Sequence, residues 1–430
     1  MELIRTSLLT AISTAIKLAS AFAVNKVIAV VAGPSGMALI GQVQSVTSIL
    51  QGASSGLFST AAVKHAAEWK DQPARRERFL SLSYTLAFWL TLVVGTVTGA
   101  LSWWLAGALL NDHRYWWVFT MLGISIPLFA TNSLILSVIN GLGEVKKLTL
   151  LNVGQSLFGL ILSVGLPLAF GLAGALAATV LASAIVFILL LPELRKHSWL
   201  KLRAINRERD KSDIARLKGF TLMAIAAATC APLSQLLVRE WIVERCSVQD
   251  AGYWQALMRL SGAYLMFFTT TLSVYYLPRF SSLGVAEIKR ELIRGYALLL
   301  PTLLVMFFFI WAARGWLVSL LFTPKFSPVE SLLGYQLIGD FLKIGSWVMS
   351  LLMLARAKTA LFVASEITFS VLYVALSIKL VGLDGSGGAR GAVFAWIALY
   401  ACYWLFLIAS LPALLRGTDS AVLGNLPNDE

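Results

Sequence analysis

The sequence predicts an all-α integral membrane protein of about 12 transmembrane helices, arranged as two six-helix lobes around a central cavity. Three observations predict it. Hydrophobic residues make up 58% of the chain and charged residues only 13%, whereas a soluble domain carries roughly a quarter charged residues. Apolar runs near the length of a bilayer span, about 20 residues, recur between short charged loops. Lys and Arg gather in alternate loops, as they do on the cytoplasmic side of membrane proteins, so both termini are expected in the cytoplasm.

The first span, 8–32, is too long for a removable signal peptide and lacks a convincing small-residue cleavage site. It places Thr10, Thr14, Lys17 and Asn25 on one face of a 3.6-residue helix. The motif GPSG follows, and the second span, 37–62, carries a polar stripe of Gln44, Ser48, Gln51 and Ser55. Lys64, Lys70, Arg75, Arg76 and Arg78 mark the next loop as cytoplasmic. Spans 79–104 and 116–140 enclose a short connection flanked by Trp103, Trp104, Trp116 and Trp117, the depth expected of an interfacial aromatic belt. Lys146 and Lys147 precede spans 148–170 and 172–192. The longest loop comes next, with nine Lys and Arg in 193–218, at the midpoint of the chain. It reads as a tether, so 1–215 is expected to be an N-terminal lobe with a basic cytoplasmic linker and 216–430 a C-terminal lobe with a cytoplasmic tail.

In the second lobe the spans are 217–242, 250–278, 296–315, 331–355, 359–383 and 389–412. The second of these places Gln255 and Arg259 one turn apart, and Arg279, Lys289, Arg290 and Arg294 follow it. The fourth carries Gln336, Asp340 and Lys343 on one face, and the fifth answers with Glu366, Ser370, Tyr373 and Ser377. Arg356 and Lys358 lie between them. The opposite loops and their flanks hold only Arg114, Arg239, Arg245, Arg314, Lys325 and Arg390. Residues 134–160 align loosely with 347–373, each bridging the fourth and fifth spans of its half. Two halves of the same topology suit a transporter whose site lies between lobes.

A charge at the middle of a membrane helix costs roughly 2.5–3.5 kcal/mol, so such residues are expected to face protein or water. Lys17, Arg259 and Lys343 would be the cations of a hydrated cavity, with Gln51 beside them, and Asp340 and Glu366 its acids. Several cations suit an anion, and a diphosphate fits because guanidinium pairs with phosphate oxygens while ammonium acts as a point charge. Asp340 reads either as the structural ion-pair partner of Lys343 or, with Glu366, as an acceptor of a coupling proton. Trp254 and Trp347 lie near these charges and are candidate substrate contacts.

Other classes fit poorly. Cys230, Cys246 and Cys402 match neither a disulfide framework nor a metal spacing, and His65, His113 and His197 are isolated. No metal or cofactor is therefore expected. The net charge of +13 is mostly the topological signal of the basic loops, so no nucleic-acid partner is expected. A membrane glycosyltransferase or polymerase would need an acid or base in an exposed catalytic loop, and the outer loops are short.

Several stretches carry a family resemblance: GPSG at 33–36, FTLMA at 220–224, AGYWQALMRLSGAYL at 251–265, TTTLSVYYLPRFSSL at 269–283 and YQLIGDFLKIGSWV at 335–348. In this order and spacing they resemble the bacterial O-antigen and enterobacterial-common-antigen lipid-linked oligosaccharide flippases, within the multidrug/oligosaccharidyl-lipid/polysaccharide exporter superfamily. The resemblance implies alternating access between two six-helix lobes in the inner membrane. It implies an undecaprenyl-diphosphate-linked saccharide as substrate, besides membrane lipids, with a polysaccharide polymerase and a chain-length regulator as further partners. It also places Arg259, Asp340 and Lys343 in the family pattern. Gly262 departs from it, standing where many members carry an acid. The same architecture admits a cation-coupled multidrug or metabolite exporter, which Asp340 and Glu366 suggest and the excess of cations disfavours.

Overall fold

The structure is a computed structural model that describes residues 2–185, 187–188, 199–200, 202, 207–356, 358–382 and 387–415. The described residues are helical almost throughout. In order they form α1 (Glu2–Glu68), α2 (Pro73–Ala100), α3 (Ser102–Leu110), α4 (Trp116–Gly141), α5 (Val145–Ile185), α6 (Arg207–Arg245), α7 (Val248–Ser282), α8 (Val285–Ala312), α9 (Arg314–Leu321), α10 (Ser327–Ala355), α11 (Thr359–Leu380) and α12 (Gly388–Leu415). Residues 193–198, 201 and 203–206 of the basic linker lie outside the described residues, and 207–218, read from the sequence as part of the loop, form the first turns of α6.

Two of these helices are each a pair of spans. In α1 the backbone breaks at Gly33, with φ 62° and ψ −169°, and Pro34 follows. In α5 it breaks at Gly171, with φ 61° and ψ −138°. Both breaks use the left-handed region that glycine alone enters cheaply, and Pro34 withholds the N–H that would continue the ladder. With these divided and the short α3 and α9 set aside, the described long helices follow the spans read from the sequence. Among the described residues, eight stretches are long and apolar enough to cross a membrane, among them Val285–Ala312 and Pro324–Ala355. α7 falls outside that set; Ser, Thr, Tyr and Gly residues dilute the apolar run that follows Arg259.

The element order also repeats. α2 is followed by the short α3, a 3-10 turn at His113–Tyr115 and the long α4; α8 is followed by the short α9, a 3-10 turn at Pro324–Phe326 and the long α10. α3 ends at Asn111 in the left-handed region, φ 53°. Asp112 then caps the turn, accepting from the Arg114 backbone N–H at 2.9 Å and from its guanidinium at 2.8 Å. These bonds hold the Asp112 carboxyl below the usual carboxylate range. Trp103, Trp104 and Trp116 around this connection are all exposed, as an aromatic belt requires.

The described chain divides into two compact units, 1–240 with 321–323, and 241–320 with 324–430. In the first, α1 packs on α4 and α5, and α2 on α4. Gly95 of α2 and Gly123 of α4 cross so closely that a Cβ on either would strike the carbonyl oxygen of the other. Such small-residue crossings let membrane helices gain dispersion contact where no hydrophobic drive exists. At the end of the same unit His65 stacks on Trp69 at 4.5 Å and meets Phe79 edge-on at 4.6 Å, so this histidine belongs to the core.

In the second unit α10 is the central helix, packed by α7, α8, α11 and α12. Gly339 and Gly345 on α10 seat two indoles of α12: a Cβ would lie 2.5 Å from Trp396 and 2.8 Å from Trp404. α8 lies at the edge, exposing Ile293, Leu298, Leu304, Val305, Phe308 and Phe309. Exposed apolar area of this extent belongs in lipid.

Candidate functional site

The second unit holds a cluster of charges within its helices. Asp340, near the middle of α10, is fully buried. It accepts four hydrogen bonds: from Ser261 Oγ at 2.6 Å, Tyr264 Oη at 2.5 Å, Gln336 Nε2 at 3.0 Å and Trp396 Nε1 at 3.0 Å. Burying a carboxylate is costly unless its oxygens are bonded, and here α7, α10 and α12 each supply donors. Gln336 reaches Asp340 because residues four apart share a helix face. Trp396 reaches it because Gly339 leaves room for the indole.

Lys343 lies one turn further along α10. Its ammonium sits over the ring of Trp396 at 4.6 Å and over that of Tyr400 at 5.4 Å, residues one turn apart on α12. One indole thus serves both charges, its N–H bonded to Asp340 and its face turned to Lys343. A desolvated cation over an aromatic face is stabilised by about 2 kcal/mol. Glu366 of α11 is near enough for its charge to act on Lys343. The Asp340–Lys343 ion pair considered from the spacing is not formed: among the described residues no ion pair joins Lys343 to Asp340 or Glu366. The physical reason is that four uncharged donors occupy Asp340 while two rings hold Lys343.

The remaining sequence candidates are distributed differently. Arg259 lies on α7, two residues before Ser261, and is partly buried. Lys17 and Gln51 lie on α1 in the first unit; the side chain of Lys17, with those of Thr10, Thr14 and Ser55, is outside the described residues. Gln44 and Ser48 are exposed and Gln51 is partly so, which agrees with a polar stripe on one face of α1. In α11, by contrast, Tyr373 and Ser377 are buried, and Tyr373 packs on Trp396 at 5.3 Å. Trp254 is also fully buried.

Sequence reasoning missed Ser261, Tyr264, Trp396 and Tyr400. The signal for the first pair was a hydroxyl-bearing i, i+3 face directly after Arg259. For the second it was an aromatic i, i+4 pair, one among several aromatic residues of α12. It also misplaced Arg239 in a loop flank. Arg239 is 1% exposed and donates from Nη1 to Gln42 Oε1 at 2.9 Å and Ser45 Oγ at 3.2 Å. Gln42 in turn donates to Glu240 at 2.5 Å. This second polar cluster ties α6 to α1 within the first unit.

Comparison with solved structures identifies the fold. The chain has the fold of the MOP-superfamily transporters. It resembles the inward-facing structure of a multidrug resistance MATE family transporter of that superfamily with a TM-score of 0.75 and 14% identity, covering 94% of this chain and 96% of that one. A MOP superfamily transporter from Pyrococcus furiosus, described as having a binding pocket of reverse polarity, matches with a TM-score of 0.58 and 12% identity over 94% of this chain and 96% of that one.

In sequence the chain is similar to the Lipid III flippase of Escherichia coli (strain K12). The two are 28% identical over 414 residues, which is 95% of this chain and 99% of the flippase. The resemblance to the lipid-linked oligosaccharide flippases that the motifs carry thus extends along nearly the whole chain, and marks it as a transporter. No family model matches the chain.

Proposed function

We propose that the protein is a flippase that carries an undecaprenyl-diphosphate-linked oligosaccharide from the cytoplasmic to the periplasmic leaflet of the bacterial inner membrane. The observation that carries the reading is the state of Lys343. Its charge is held over the rings of Trp396 and Tyr400 and is not cancelled by contact with a carboxylate, so it can meet a phosphate oxygen as a point charge. The flippase relatives support the same substrate class. In this reading Lys343, Arg259, Lys17 and Gln51 receive the diphosphate and sugars in a cavity between an N-terminal lobe, 1–215, and a C-terminal lobe, 216–430. The polyprenyl chain stays in lipid, and rocking of the lobes exposes the head on the far side.

Both termini then lie in the cytoplasm, following the basic loops. An outward-moving anion gains roughly 2.3 kcal/mol per charge per 100 mV from an inside-negative potential. Of the two acids, Glu366 is the better proton acceptor for coupling, because Asp340 is committed to four hydrogen bonds.

The test is the sidedness of the lipid-linked saccharide in cells depleted of the protein, read with a periplasm-confined probe after removal of redundant flippases. The expected result is accumulation of saccharide the probe cannot reach, reversed by re-expression. Unchanged accessibility would contradict the proposal and favour an exporter of soluble cations.

A further inference from the structure

A cavity of about 360 Å³ opens where α8 ends and α10 begins, lined by Trp311, Arg314, Glu330, Gly334, Tyr335 and Ile338, among others. It lies within the second unit, on the stretch of α10 that precedes Asp340 and Lys343. Its polar end is built around Arg314. The guanidinium stacks over the Trp311 ring at 4.6 Å and donates from Nη1 to the Trp311 carbonyl at 3.0 Å. Glu330 faces it with a carboxylate oxygen 3.9 Å from Nε, too far for a hydrogen bond. The two charges are therefore neighbours that leave most of each other's bonding capacity unused. Their side chains are 35% and 43% exposed.

Two glycines shape the cavity. A Cβ on Gly315 would lie 3.1 Å from the Glu330 carboxylate, and one on Gly334 would lie 3.3 Å from the Trp311 indole. The polarity then changes with depth. Glu330, Gly334 and Ile338 follow one face of α10 at four-residue steps, so Ile338 lies about 12 Å further into the span than Glu330. Ile338 is exposed, as are Val305 and Phe308 on α8. On the other side α9 exposes Trp316 and Leu320 and buries Val318 and Leu321, the division expected of a short helix lying at a membrane interface.

We infer that this cavity binds the headgroup of a zwitterionic phospholipid bearing a primary amine, with its phosphate on Arg314, its ammonium on Glu330 and its acyl chains along Ile338, Val305 and Phe308. Charge complementarity selects the headgroup. Guanidinium donors suit phosphate oxygens, and a carboxylate accepts N–H bonds that a primary ammonium can donate and a trimethylammonium cannot. The change from charged to apolar along one helix face selects a lipid over a soluble phosphoamine.

The full-length protein purified in detergent can be titrated with phosphatidylethanolamine, phosphatidylcholine and phosphatidylglycerol of matched acyl chains, with bound lipid counted by native mass spectrometry. Phosphatidylethanolamine is expected to bind about tenfold more tightly than the other two. Arg314→Gln and Glu330→Gln, both at half-exposed positions, should each erase that preference, and Gly334→Ala should weaken it by pressing on Trp311. Equal binding of phosphatidylcholine would overturn the inference, because the amine N–H would then count for nothing. Preference for phosphatidylglycerol, lost in Arg314→Gln and strengthened in Glu330→Gln, would overturn it in favour of an anionic-lipid site. Wild-type preference for phosphatidylethanolamine in both charge variants would place the lipid elsewhere and also overturn it.

Discussion

Trp396 joins the two charges of the site, so its substitutions separate their roles. Trp396→Phe keeps a ring under Lys343 but removes the donor at 3.0 Å from Asp340. It should lower stability by about 1–3 kcal/mol, the effect of leaving a buried acceptor short of a partner, with a smaller effect on transport by the folded fraction. Thermal unfolding in detergent and transport per folded molecule check the two parts. Asp340→Asn should reduce folded protein and activity together, because it weakens every bond in the cluster; full abundance with lost pH dependence would instead assign Asp340 a proton. Gly339→Ala would place a methyl 2.5 Å from the Trp396 ring, and overpacking of this kind costs about 1–3 kcal/mol. Asp340, Lys343 and Glu366 were legible in the sequence because a charge within an apolar run is conspicuous. Their aromatic and hydroxyl partners were not, since Trp, Tyr and Ser occur throughout membrane helices and only the packing of α7 and α12 on α10 distinguishes these four.

Among the elements, the breaks in α1 and α5 show what sequence reveals about a span boundary. Gly33 and Pro34 together signal one plainly. Gly171 sits in a run of small and apolar residues, and only its φ of 61° distinguishes it from the other glycines of that run. Gly33→Ala should destabilise the first unit by about 1–3 kcal/mol, the cost of placing a side chain at positive φ with extended ψ, a region essentially reserved for glycine, although a Cβ there would meet nothing within 4 Å. Loss of thermal stability without a change in the helix content of the folded protein would bear this out. Gly95→Val tests packing rather than conformation, since its side chain would enter the α2–α4 crossing; reduced yield of folded protein is the expected outcome. The short helices α3 and α9 were not visible as separate elements, because residues such as SWWLAGALL continue the apolar composition of the preceding span. Their bends are set by tertiary packing and by caps such as Asp112.

For the whole molecule, composition and alternating loop charge were enough to read an all-helical membrane protein, because the bilayer excludes most other ways of satisfying the backbone. The function is written less plainly. A transporter breaks no bond and carries no catalytic signature, so its substrate must be read from the charge it can hold. Glu366→Gln should remove the dependence of transport on an imposed pH gradient while leaving exchange driven by substrate alone, as measured in vesicles. The central claim is that Lys343 provides a cation for a lipid-linked diphosphate. It is tested most directly by reconstituting the wild type and Lys343→Gln at equal abundance and measuring movement of an undecaprenyl-diphosphate-linked saccharide between leaflets. The account predicts translocation by the wild type and a loss of about tenfold or more in the variant, corresponding to about 1.4 kcal/mol or more of lost interaction, with partial recovery in Lys343→Arg. Equal rates in wild type and Lys343→Gln would contradict it.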